Sequence, residues 1–178
     1  MDQADLIDLL RPGVDTKGGH WADLGAGEGA FTLALAELLG PGAHITAVDR
    51  DRHALSALSR SMARRFPQTA LVVQVADFTR PLGLNNLDGV VMANSLHFVR
   101  DKRPVLQAVM AMLKASGRLI LVEDGTGATH GFHTRCLLPH GREPRKRQAW
   151  WGRCSCTPSP AAISEACTRR FLEDLRRR

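Results

Sequence analysis

Five short apolar runs alternate with helix-spaced apolar residues through positions 1–124, and no other feature of the chain narrows its fold as much. Residues 20–24, 43–48, 70–75, 87–93 and 117–123 read as strands, the third rich in valine. Between them, residues 3–11, 30–39, 51–65 and 102–114 repeat leucine, valine, methionine or phenylalanine at spacings of three and four, which predicts helices. Pro12-Gly13 and Gly40-Pro41-Gly42 end the first two helices, and Asp51 and Asp101 stand where N-caps belong. The order α-β-α-β-α-β-loop-β-α-β predicts an α/β fold, a Rossmann-like, doubly wound parallel sheet. Strands that are apolar on nearly every residue agree, because helices then cover both faces.

Composition marks where that pattern stops. Residues 1–124 hold 13 basic and 14 acidic side chains; residues 125–178 hold 11 and 4, so the whole +6 charge arises in the last third. Leu, Ile, Val and Phe supply 37 of the first 124 residues but only 7 of the last 54, a composition typical of poor order. Two parts are therefore expected: a domain over 1–124 and a basic, poorly ordered tail over 125–178, with a helix possible only at 160–177. The basic excess thus gives no reason to expect a nucleic-acid partner for the domain. No apolar run approaches the ~18 residues of a membrane span. The acidic start Met1-Asp2-Gln3-Ala4-Asp5 lacks the features of a secretion signal, so a cytoplasmic protein with reduced thiols is expected.

In open α/β sheets ligands bind beyond the carboxyl ends of the strands. Gly25-Ala26-Gly27-Glu28-Gly29-Ala30 follows the first strand and opens a helix; its glycines permit a tight turn and a close ligand approach. Asp49 ends the second strand about twenty residues on, where a carboxylate can hold ribose hydroxyls. Both features also fit a dinucleotide site, and a purely structural turn beside a solvated aspartate. Asp23 and Asp77-Phe78 discriminate. A carboxylate just before the glycines suits a ligand carrying positive charge, and one after the third strand can accept from an adenine amino group.

The ordered set Asp23-Leu24-Gly25-Ala26-Gly27-Glu28-Gly29, Val48-Asp49, Ala76-Asp77-Phe78 and Leu87-Asp88-Gly89-Val90-Val91-Met92-Ala93-Asn94 resembles a class I S-adenosylmethionine-dependent methyltransferase over about residues 15–124. The resemblance implies S-adenosylmethionine as cofactor. It places Asp23, Gly25 and Gly27 along the methionine half, Asp49 at the ribose, Asp77 with Phe78 at the adenine, and Asn94 and Ser95 beside the methionine portion; Ala26 and Arg50 complete the expected cofactor-binding set. Asn94-Ser95-Leu96-His97-Phe98 lacks the Asn/Asp-Pro-Pro-aromatic loop of amino-directed nucleic-acid and glutamine enzymes. It is similar to the small-molecule branch, so a small-molecule methyl acceptor is the expected partner. An RNA or protein methyltransferase using the basic tail, an inactive cofactor-binding remnant, and a nicotinamide-dependent oxidoreductase stand as alternatives, the last opposed by Asp23 and Asp77. His97 is the candidate general base, needed only if the acceptor loses a proton.

The family fold normally continues past strand five with a helix and an antiparallel strand pair. Residues 125–178 show no β-branched run, so the sheet is expected to be truncated there and to pass into an irregular tail. His130, His133, Cys136, His140, Cys154 and Cys156 lack the paired knuckle spacing of a zinc module, and no metal is expected. Arg142, Arg145, Lys146 and Arg147 read as a solvated charge run. The abrupt change near Glu123-Asp124, with Arg, Pro, Cys, Trp and no Val after it, also fits translation in a shifted frame.

Overall fold

A computed structural model describes residues 2–124 and the backbone of 132–137. The elements run α1 (Gln3–Leu10), β1 (His20–Leu24), α2 (Ala30–Leu39), β2 (His44–Asp49), α3 (Arg52–Arg65), β3 (Ala70–Val75), β4 (Leu87–Ala93), α4 (Lys102–Met112), β5 (Leu113–Asp124) and β6 (Phe132–Leu137). Single 3₁₀ turns follow α1 and β4, at Arg11–Gly13 and Leu96–Phe98. The strand order is β3-β2-β1-β4-β5-β6, and the first five strands are parallel. The chain starts in the middle at β1, works outward to β3, then returns to the other side of β1 at β4. That reversal makes the β1/β4 boundary the topological switch point.

Two apolar layers flank the sheet. On one face Leu6, Ile7 and Leu10 of α1, Leu35 and Leu39 of α2 and Leu55, Leu58 and Met62 of α3 pack on Trp21, Ile45, Val91 and Ile120. On the other, Val105, Leu106 and Val109 of α4, with Phe78 and Leu82 from the β3–β4 connection, cover Ala22, Leu24, Val90, Met92 and Leu119. The side-chain alternation of β1 therefore puts Trp21 and Asp23 under the α2 layer and Ala22 and Leu24 under the α4 layer. Trp21 faces Gly89 across the β1/β4 ladder, and a Cβ at Gly89 would stand 2.1 Å from its ring.

The caps behave as their sequence suggests. Asp51 accepts from the His53 and Ala54 N–H groups at the start of α3, and Asp101 accepts from Arg103 at the start of α4. α4 closes at Met112, two residues before the expected end, and β5 begins at once at Leu113. A shift in the β4/β5 register between Leu87 and Gly89 takes up the extra β5 residues.

The five-stranded parallel sheet is as expected, but it does not end at β5. Phe132–Leu137 pairs antiparallel with β5, from Asp124↔Phe132 to Leu119↔Leu137, which corrects the expected truncation after the fifth strand. The open edge of β5 offers a row of backbone donors and acceptors, and a ladder on it requires no valine-rich sequence. The helix expected at 160–177, the Arg142–Arg147 charge run and Cys154, Cys156 and Cys167 lie outside the described residues. No described helix is long and apolar enough to cross a membrane.

Candidate functional site

The turn between β1 and α2 forms the floor of the site. The N–H groups of Gly25 and Ala26 both donate to the Val48 carbonyl, at 2.8 and 3.1 Å, which ties the turn to the end of β2. The Gly27 N–H donates to one Asp49 oxygen at 2.8 Å, and the other Asp49 oxygen accepts from Asp51 at 2.9 Å. Gly25, Gly27 and Gly29 all have positive φ, at 85, 54 and 89°. Two of them also allow close approach. A Cβ at Gly29 would stand 2.1 Å from Leu58, and one at Gly25 would stand 2.5 Å from the Ser95 Cβ. A Cβ at Gly27 would meet nothing within 4 Å, so this part of the turn faces open space.

Asp23 lies beneath the turn, 1% exposed, and accepts a 2.6 Å hydrogen bond from the Thr32 hydroxyl on α2. Burial pushes its carboxyl up to about 6; the Thr32 bond opposes the rise and the Asp49 charge adds to it. Asp77 differs. Its Oδ1 accepts from both the hydroxyl and the N–H of Thr79, and these bonds hold the carboxyl below its ordinary range, helped by Arg50 and Arg80. Arg50 faces the other Asp77 oxygen at 3.8 Å, with the arginine side chain exposed and the aspartate partly so. Phe78 turns inward, and its ring edge lies 3.5 Å from where a Gly25 Cβ would stand.

Beyond β4, Asn94 adopts a left-handed conformation (φ 49°) and its N–H donates to the Val122 carbonyl of β5 at 2.8 Å. Ser95 is buried, and its hydroxyl donates to the Leu24 carbonyl at 2.8 Å. His97 then reaches Glu123 at the end of β5, with Nδ1 2.8 Å from Oε2, while Oε1 accepts from the Leu96 N–H at 3.2 Å. The His97 ring leans on Phe98, with centroids 4.0 Å apart.

The structure thus gathers Asp23, Gly25, Ala26, Gly27, Asp49, Phe78 and Ser95 around one turn at the switch point. A family model described as "Methyltransferase domain" matches residues 22–119, more than half of the chain.

The chain belongs to the methyltransferase domain family.

Relatives of this methyltransferase domain span several named chemistries. It is 32% identical over 111 residues to pyochelin synthetase of Pseudomonas aeruginosa, covering 62% of this chain and 7% of that protein. It is 28% identical over 131 residues to a ubiquinone/menaquinone biosynthesis C-methyltransferase of Pasteurella multocida, covering 69% of this chain and 48% of the relative. The chain therefore spans half or less of these relatives' lengths. The fold matches a solved coclaurine N-methyltransferase, bound to N-methylheliamine and S-adenosylhomocysteine, with a TM-score of 0.61 and 21% identity over 68% of this chain and 36% of that one.

Two residues that the structure sets against the candidate residues escaped the sequence reading. Thr32 carries its signal as a lone hydroxyl on the buried, otherwise apolar face of α2. Glu123 lies one residue before the end of β5, where functional residues are to be sought, yet only the fold sets it beside His97, 26 positions away.

Proposed function

We propose that this chain is the cofactor-binding domain of an S-adenosylmethionine-dependent methyltransferase acting on a small-molecule acceptor. The observation that carries the reading is the buried Asp23 carboxylate directly under an open, left-handed glycine turn that Asp49 anchors. The residues fit the cofactor. Among the described residues Asp23 has no ion-pair partner, so a cationic ligand group would relieve its desolvation. Each Asp49 oxygen accepts one backbone N–H and retains a lone pair for a ribose hydroxyl. The Asp77 oxygen facing Arg50 retains accepting capacity for an adenine amino group. Open space before Gly27 admits the ligand to the backbone.

The bound cofactor supplies an electrophilic methyl group on a good leaving group. The chain's own task is then mainly to hold donor and acceptor in line, worth up to ~7–11 kcal/mol in ideal cases. In this reading Asp23, the glycine turn and Asp49 hold one partner, and His97 on the β4 loop is the residue assigned to take a proton from the other. The named acceptors of the relatives differ among themselves, and the small-molecule reading rests on the β4 loop sequence Asn94-Ser95-Leu96-His97-Phe98.

Calorimetric titration of the full chain with S-adenosylmethionine, S-adenosylhomocysteine and NAD in parallel tests the reading. The first two should bind and NAD should not. Binding of NAD alone would overturn it.

A further inference from the structure

The contact between His97 and Glu123 has a direction that chemistry decides. An ionised carboxylate only accepts hydrogen bonds, so the hydrogen shared at 2.8 Å belongs to His97 Nδ1. A neutral ring that carries its proton on Nδ1 has its lone pair on Nε2. The second carboxylate oxygen accepts from the Leu96 N–H, so one side chain holds both the loop backbone and the ring that the loop carries. The two residues reach this position from neighbouring strands, since Ala93 pairs with Val122 and the Asn94 N–H donates to Val122. The His97 side chain is 49% exposed, and next to it Phe98 is 77% exposed, so both side chains are open to a ligand.

Resting on the methyltransferase reading above, we propose that Glu123 is a positioning residue that fixes His97 as a proton acceptor through Nε2, for an aromatic acceptor bearing a hydroxyl, lying against Phe98. The acceptor's O–H proton passes to Nε2, giving an imidazolium whose Nδ1–H remains bonded to Glu123. The acceptor oxygen forms a bond to the methyl carbon as the carbon–sulfur bond breaks. That electron pair neutralises the sulfonium, the products are a methyl ether and a thioether, and the imidazolium returns its proton to water. An acceptor with no proton to lose would have no use for the pair. The exposed face of Phe98 provides an apolar surface on which a planar ring can stack.

Two measurements on the full chain test this. Long-range ¹H–¹⁵N correlation spectra of the histidine rings, with His97 assigned by its loss in H97Q, report the tautomer without any substrate. Wild type should show Nδ1–H. In E123Q the amide oxygen can still accept from Leu96 while its N–H points at Nδ1, so the fold should persist and the ring should switch to Nε2–H. A wild-type ring already in the Nε2–H form, or one unmoved by E123Q, overturns the proposal. The second measurement adds 4-nitrocatechol, a coloured phenol, to protein saturated with S-adenosylhomocysteine. Wild type should bind it with the phenolate absorbance increased, H97Q should lose that increase, and E123Q should reduce it by at least about tenfold. No spectral change with wild type, or an unchanged one in H97Q, overturns it. S-adenosylhomocysteine affinity should stay within about threefold in E123Q, a change of under 1 kcal/mol. If wild type itself fails to bind that ligand, the cofactor reading fails instead, and the tautomer remains readable from the unliganded chain.

Discussion

The Thr32 hydroxyl donates a 2.6 Å hydrogen bond to Asp23 in the interior of the fold, where neither residue reaches solvent. One hydroxyl does not replace the hydration of a carboxylate, and burial raises the Asp23 pKa from 3.8 to about 6. A carboxyl held more tightly protonated in the folded chain stabilises the fold below its unfolded pKa. That contribution is lost as pH rises through about 6. The shift corresponds to about 3 kcal/mol. In denaturant titrations the difference between wild type and D23N should therefore change by about that amount between pH 4 and pH 8, with D23N the more stable at pH 8. A difference that does not vary with pH would refute the assignment. The gain should be accompanied by weaker S-adenosylmethionine binding, since the amide provides no negative charge.

Ligand binding should register the same carboxyl. If the cationic part of the cofactor settles near Asp23, it favours the ionised form. Near pH 6 the unliganded site is about half protonated, so binding should release about half a proton from it. Calorimetry in buffers of different ionisation enthalpy counts that proton. The release should disappear in D23N and shrink by pH 8. An equal proton count in wild type and D23N would place the cation elsewhere.

Thr32→Val keeps the branched shape and removes the donor. Its cost should depend on the state of Asp23. At pH 8 the ionised carboxylate loses its hydrogen bond, a charged case worth about 1.5–3 kcal/mol, whereas below pH 5 the loss should be nearer 1 kcal/mol. Equal losses at both pH values would show that Thr32 serves packing alone.

The parallel sheet was legible because burial on both faces leaves its central strands almost entirely apolar, so runs such as Val90-Val91-Met92 stand out from their surroundings, while the edge strand β3 keeps an apolar run although Val72, Val73 and Val75 are exposed. The glycine turn and Asp49 were legible because backbone conformation and strand-end placement leave local marks. β6 was not, because its pairing depends on the open edge of β5 rather than on its own composition. Thr32 and Glu123 were missed for a related reason. Each matters through a partner, Asp23 or His97, that is set beside it only when two elements pack. Ser95 was legible as a site residue by position, but not as the buried group that packs against Gly25.

Gly89 gives a prediction separable from the site. Its missing side chain is the space occupied by Trp21, whose ring would lie 2.1 Å from an alanine Cβ. Gly89→Ala should destabilise the chain by about 1–3 kcal/mol through overpacking between β1 and β4. Affinity for S-adenosylhomocysteine, measured well below the unfolding temperature, should change by less than about threefold, under 1 kcal/mol. A stability within 0.5 kcal/mol of wild type, roughly the ordinary surface range, would mean that Trp21 moves aside freely.

Gly25→Ala joins two effects that a set of variants can separate. At φ +85° an alanine is strained by about 1–2 kcal/mol, and its Cβ would lie 2.5 Å from that of Ser95. Gly18 provides the control, because it has φ +71° and a Cβ there would meet nothing within 4 Å. Gly18→Ala should therefore lose only the strain, while Gly25→Ala should lose more and also weaken S-adenosylhomocysteine binding by about tenfold or more, since the turn must shift by a sizeable fraction of an ångström. Adding Ser95→Gly to Gly25→Ala removes the colliding Cβ but leaves the strain and the lost hydroxyl bond to Leu24. The double variant should recover ligand affinity more completely than stability. If it recovers neither, the collision with Ser95 is not what excludes a side chain at position 25, and the left-handed backbone alone requires the glycine.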